Sequence, residues 1–381
     1  MLRTLRVSVL AGLLLSIVSA SAQGGARPQV NPDHSITFRY ANSGATKVEL
    51  ASDMLHGKKL PLLRGADGVW TVTTAPADPE IYGYNFVVDG VNTLDPLNSS
   101  ARRNYVSLTD NILVPAQPPA PWELADVPHG RVDSYNYTTH VVKGLPENQS
   151  SYVVYTPPGY DEHRKAGYPV LYLLHGWSDF ADGWTSVGHA NYIFDSMLAA
   201  GKIVPMIVVM PFGYGDMDFV IGEKGPWQNP VRIDANVAGF SQAFETEVMP
   251  AVERQYNIAK GRENHAIAGL SMGGLESLYV GLNHTEQFAW VVGMSSAIHM
   301  RHFDEHLPSL ATADAAKKAN LRLLWVACGT GDSLIQPNRD FVAWARTKGL
   351  PITAVETPGE HTWLVWRDNV LHFAPLLFRP K

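Results

Sequence analysis

The sequence predicts an α/β fold, a mostly parallel doubly wound sheet preceded by a small all-β sandwich. Three observations carry that expectation. Along residues 131–381, short apolar runs alternate with helical patterns, the arrangement that builds a parallel sheet covered by helices. Within that region His265-Ala266-Ile267-Ala268 leads into Gly269-Leu270-Ser271-Met272-Gly273. Leu275, Leu278, Tyr279 and Leu282 follow at i, i+3, i+4 and i+7, so a G-x-S-x-G pentapeptide lies between a buried strand and an amphipathic helix. Earlier, residues 30–113 form several short β runs separated by turns.

From the N-terminus, residues 1–22 read as an export signal. Arg3 and Arg6 precede an apolar run from Val7 to Val18, and Ala20-Ser21-Ala22 offers a cleavage site before Gln23. The run is too short for a comfortable membrane span, so cleavage and release to the periplasm or medium is the expectation. In residues 30–113 the β runs are Ile36–Tyr40, Val48–Leu50, Val69–Val72 and Tyr82–Val88, the last closed by an Asp89-Gly90 hairpin turn. Pro115, Pro118, Pro119 and Pro121 make residues 114–130 a stiff, extended linker. The catalytic domain is expected over residues 131–381.

The glycines of the pentapeptide leave room for a sharp turn that lifts Ser271 out of the sheet as a nucleophile. A serine hydroxyl needs a histidine base and an acid to orient it. Leu321–Cys328 reads as a buried strand ending in Gly329-Thr330-Gly331-Asp332. A helix pattern around Phe341-Val342-Ala343-Trp344 and a strand, Ile352–Val355, then run into Pro358-Gly359-Glu360-His361-Thr362-Trp363. Asp332 and His361 therefore end consecutive strands, in the order serine, acid, histidine. Oxyanion donors are expected from the Met272 N–H and from Trp177, in His175-Gly176-Trp177 after the strand Pro169–Leu174. His175 is read as shaping that loop. A long aromatic loop follows Pro211, and Trp184, Tyr214 and Trp227 are the candidate substrate contacts.

His302, Asp304 and His306 have a spacing that could hold a metal, but a solvated charged helix start accounts for them, and no metal or cofactor is expected. His372, Asp340 and Asp368 fall in helical stretches. The single cysteine, Cys328, cannot form an intramolecular disulfide and reads as a buried, inert thiol. A net charge of −6 without a basic cluster argues against nucleic acid or an anionic membrane as partner.

Taken in order, Leu173-Leu174-His175-Gly176, Asp182-Gly183-Trp184, Ile207–Pro211, the Ser271 motif through Gly274, Cys328–Asp332 and Gly359–Trp363 resemble the esterase D-type branch of the α/β-hydrolases. That branch contains the carbohydrate esterase family 1 enzymes (feruloyl and acetylxylan esterases), the siderophore esterases and the mycolyltransferases. The resemblance covers about residues 135–378 and implies Ser271, Asp332 and His361 as the triad, with Met272 and Trp177 as oxyanion donors. Many relatives carry a glycine where this chain has Trp177. The sandwich, with Trp70, the Tyr84–Asp89 stretch and Asp95-Pro96, looks like the early-set or family 48 carbohydrate-binding modules. These features favour feruloylated, then acetylated, xylan or oligosaccharide as substrate. A siderophore ester and acyl transfer to a sugar stay open; the siderophore would want arginines near the site, with Arg232 and Arg301 the nearest candidates.

Overall fold

The computed structural model describes residues 27–221, 226–300 and 302–379. The expected export signal, residues 1–22, lies outside them. Among the described residues, no helix is long and apolar enough to cross a membrane.

Two sheets form the N-terminal unit. One runs in the order Gln29–Val30, Ile36–Ala41, Val69–Thr73, Leu63–Arg64. The other runs Lys59–Pro61, Val48–Ser52, Glu80–Val88, Thr109–Val114, Ala101–Arg102, with Val91–Thr93 also paired to Glu80–Val88. Alternation decides which side chains meet: Ile36, Phe38 and Tyr40 point inward from one sheet, Tyr84 and Phe86 from the other. Phe38 lies 4.8 Å from Tyr84 and Tyr40 lies 4.8 Å from Phe86, ring centre to ring centre. Trp70 is buried too, its indole N–H donating to the Asn42 carbonyl. The aromatics are therefore core, not an exposed platform for sugar. Val88 pairs with Val91 across Asp89 and Gly90, both at positive φ, a two-residue turn whose twist suits a hairpin.

The C-terminal unit is built on one eight-stranded sheet. Its strands are β1 (Arg131–Thr138), β2 (Gln149–Thr156), β3 (Val170–Leu174), β4 (Ile207–Pro211), β5 (His265–Leu270), β6 (Trp290–Met294), β7 (Leu323–Gly329) and β8 (Ile352–Thr357). Their order is β1-β2-β4-β3-β5-β6-β7-β8, antiparallel through β1, β2 and β4 and parallel from β4 to β8. The five strands β3 to β7 are buried throughout except at His265, the first residue of β5, which explains why they read as nearly continuous apolar runs. The principal helices are α1 (Ala190–Ala199), α2 (Pro230–Ala243), α3 (Met272–Asn283), α4 (Ile335–Thr347) and α5 (Trp363–Phe373).

The two units are locked by a buried ion pair. Arg367 of α5 is fully buried; its guanidinium donates to the Glu80 carboxylate at 3.0 Å, to the Ile81 carbonyl at 2.8 Å and to the Val187 carbonyl at 2.9 Å. Each of the three guanidinium nitrogens thus has an acceptor, which offsets the cost of burying the charge. The stretch between the units departs from the extended linker expected from its prolines. Glu123 is buried and its carboxylate accepts the N–H groups of Ala116 and Ala120, folding the segment into a compact turn. The Trp122 carbonyl accepts from His189, which fastens that turn to the C-terminal unit.

Candidate active site

Between β5 and α3 the chain reverses at Ser271, whose φ of 53° and ψ of −113° belong to a turn position that usually falls to glycine. Neighbouring backbone holds it there. The Ser271 N–H donates to the Met294 carbonyl, and its own carbonyl accepts from Leu275 and Ala297. Any side chain at Gly269 would meet the Gly273 carbonyl oxygen at 2.1 Å, and one at Gly273 would meet the His175 carbonyl oxygen at 2.4 Å. The two glycines are therefore demanded by close backbone approach. Strain of this kind persists only where the surroundings over-determine it.

The loop after β8 brings His361 over this turn. Its Nε2 lies 3.0 Å from Ser271 Oγ and its Nδ1 lies 2.8 Å from Asp332 Oδ2. Asp332, at the end of β7, has a completely buried side chain, and its other oxygen accepts the Leu334 N–H at 2.8 Å. Burial alone would raise its carboxyl, but the hydrogen bond and charge of His361, with the Leu334 N–H, hold it below the usual value of 3.8. Trp366 packs edge-on against the imidazole at 4.9 Å and limits its swing. The structure thus brings the three expected side chains into one hydrogen-bonded line.

Beneath the serine, Met272 opens α3, where the first backbone N–H groups have no helical acceptor. Gly176 and Trp177 line the same cleft. The Trp177 indole lines it as well and donates to the Phe219 carbonyl at 2.9 Å, so the bulky residue at this position is part of the wall. His175 is buried beneath: its Nε2 accepts the Gly213 N–H at 2.9 Å while Nδ1 bonds the Gly176 carbonyl. Burial depresses its basicity, so it is a neutral brace between two loops.

The cleft encloses about 510 Å³ and is lined by Trp177, Trp227, Ile298, Leu334, Trp363 and Trp366 around Ser271 and His361. Of the expected substrate contacts, Trp227 lies in its wall. Trp184 and Tyr214 do not. Trp184 is fully buried, donating to the Leu174 carbonyl and packing edge-on against Trp363 at 5.1 Å. Tyr214 is fully buried as well, with its hydroxyl on the Asp179 carbonyl. Both support the cleft from behind. Sequence reasoning missed Trp363, although it stands two residues after His361, and it missed Asp53 and Arg102. Those two come from the sandwich and also line the cleft; nothing local in the sequence marks them.

Among the described residues, no group of three or more histidine, cysteine or acidic side chains could hold a metal ion. Asp304 is occupied by the Trp344 indole and Lys348, whereas His306 faces Asp234. The thiol of Cys328 is buried.

Known proteins share this architecture. Residues 146–372 match the family model described as "Putative esterase". An endo-1,4-beta-xylanase/feruloyl esterase of Xylanibacter ruminicola is 27% identical over 92% of this chain and 46% of its own length, so this chain spans about half of that relative. An acetyl esterase of Caldicellulosiruptor saccharolyticus is 26% identical over 53% of this chain and 80% of its own. Among solved structures, a ferulic acid esterase of carbohydrate esterase family 1 from Anaeromyces mucronatus superposes with a TM-score of 0.56 at 25% identity, covering 67% of this chain and 93% of that one. The enterobactin esterase of Shigella flexneri gives 0.63 at 18% identity over 90% and 92%, a likeness of fold that extends across the N-terminal unit. With the family model matching more than half of it, the chain belongs to this esterase family, on the α/β-hydrolase fold.

Proposed function

We propose that the chain is an exported serine esterase that releases feruloyl groups from plant cell-wall polysaccharide or its oligosaccharides. The observation that carries this reading is the Ser271–His361–Asp332 line opening on a cleft walled by tryptophans. His361 Nε2 takes the hydroxyl proton as Ser271 Oγ attacks the ester carbonyl, and Asp332 holds the imidazole and stabilises its positive form. Negative charge then develops on the carbonyl oxygen, within reach of the Met272 and Trp177 N–H groups; one such donor contributes about 3–4 kcal/mol. His361 returns the proton to the departing sugar oxygen, and water on the same path frees the acid.

Planar indoles suit a flat phenolic acyl group, and Asp53 and Arg102 offer polar atoms to sugar hydroxyls beside Thr362 and Trp363. Relatives named for feruloyl ester cleavage support the same class, as does the export signal read in residues 1–22. A siderophore ester is favoured less. Arg102 is the one arginine among the described residues lining the cleft, and Asp53 and Asp179 outnumber it there. Arg232 does not line it, and Arg301 lies outside the described residues.

A hydrolysis panel tests the proposal: methyl ferulate, feruloylated xylo-oligosaccharide, acetylated xylan and an iron-loaded catecholate triester. The feruloyl esters should show the highest kcat/KM. A higher value for the catecholate triester or for acetylated xylan overturns the substrate assignment.

A further inference from the structure

The loop that carries the proposed oxyanion donor is gripped by the sandwich. Four successive residues, Arg102 to Tyr105, each touch residues 178–180, immediately beyond Trp177. The Arg102 guanidinium and the Asn104 side-chain amide both donate to Asp179 Oδ1, the latter at 2.8 Å. The Tyr105 N–H donates to the Ser178 carbonyl at 2.8 Å. Tyr105 stacks on Phe180 with ring centres 4.3 Å apart, and the Arg103 guanidinium lies 4.3 Å from the centre of the same ring.

The gripped segment needs holding. Gly176 and Asp179 close a turn, the Asp179 N–H donating to the Gly176 carbonyl, with Trp177 and Ser178 between them. Ser178 has a φ of 72°, a conformation that usually falls to glycine in this position. A serine there relaxes unless its neighbours are fixed, and relaxation rotates the peptide units beside it. The Trp177 N–H belongs to that turn, and among the described residues no protein group accepts it. Asp179 is 3% exposed, and its side-chain partners Arg102 and Asn104 both come from the other unit.

We infer that Arg102 and Asn104 are positioning residues for the oxyanion loop: by anchoring Asp179 they fix the Trp177 N–H, so the sandwich completes the catalytic centre. The inference rests on the serine-esterase reading above. It separates from a glycan-binding role because Asn104, unlike Arg102, does not line the cleft. A change at Asn104 reaches the reaction only through the loop.

The test uses the full chain with para-nitrophenyl acetate, which has no sugar, and phenylboronic acid, which forms a tetrahedral adduct on a reactive serine. Asn104→Ala should lower kcat about tenfold with KM nearly unchanged and weaken boronate inhibition by a similar factor. Arg102→Ala should do more and Arg102→Lys should recover part of the loss. Melting temperature reports folding separately, and Asn104→Ala, which removes one half-buried neutral amide, keeps the test open if Arg102→Ala does not fold. Unchanged kcat and boronate affinity in Asn104→Ala overturn the inference, as does a loss in Arg102 variants confined to KM for oligosaccharide esters. Full activity in Ser271→Ala, or no boronate inhibition of the wild type, overturns the underlying serine-esterase reading instead.

Discussion

The two walls of the cleft are held by different physics. On the sheet side, Ser271, Asp332 and His361 stand at the ends of β5, β7 and β8, set by backbone hydrogen bonds and by glycines that admit close approach. On the sandwich side, placement depends on charged side chains taken out of water: Arg367 with Glu80, and Arg102 with Asp179. Backbone placement is stiff and local, and it tolerates loss of a functional side chain without loss of fold. Ionic placement is the reverse: removing one partner strands the other and threatens the arrangement itself.

The largest effect should come from the sheet side and leave stability alone. Ser271→Ala should reduce turnover of a small aryl ester by about 10⁴-fold or more with an unchanged melting temperature. His361→Ala should match it. Near-native turnover would mean another nucleophile in the first variant and another base in the second. Next comes the ionic wall. Arg367→Ala leaves Glu80 buried without its cation and should cost about 3–5 kcal/mol in denaturant unfolding, with kcat on a small ester retained below the melting range. Pairing Arg367→Met with Glu80→Leu should recover much of that loss. If Arg367→Ala is as stable as wild type, the contrast between the walls collapses.

A smaller effect is expected at the Trp227 indole in the cleft wall. Trp227→Ala should raise KM for methyl ferulate by roughly tenfold or less while acetyl ester hydrolysis changes little, since one aromatic contact is removed and the reacting atoms are untouched. Equal changes for both esters would make Trp227 a packing residue only.

Smallest is the acid-side signature of Asp332. Its folded-state value lies below 3.8, so the ionised carboxylate stabilises the fold above that pH, and the contribution is lost as pH falls through the lowered value. Asp332→Asn lacks the titration. The stability difference between wild type and variant should therefore shrink as thermal melts are moved from neutral pH to below 3.8. A difference independent of pH would break the link between Asp332 and His361.

What could be read from the chain follows the same divide. Glycine spacing and the apolar strands announced Ser271, Asp332 and His361, because those positions are dictated by local backbone. Asp53 and Arg102 carry no such mark: they reach the cleft only because the sandwich packs against α5, a long-range event set by Glu80 and Arg367. Trp184 and Tyr214 read as substrate contacts from the sequence because they are aromatic and near loop motifs. A wall of the cleft and the layer behind it use the same residue types, and only the packing above them decides which is which. Prolines predicted a straight linker, but the buried carboxylate of Glu123 turns the chain back on itself.

The lone cysteine gives this molecule a clock. Burial, followed by the neighbouring Asp332 carboxylate, pushes the Cys328 thiol up to about 12, so the folded protein presents no thiolate at neutral pH. Labelling by a thiol reagent must then wait for the end of β7 to open, and no second thiol confuses the signal. The rate of labelling at low denaturant reads the opening free energy of the strand that leads into Asp332.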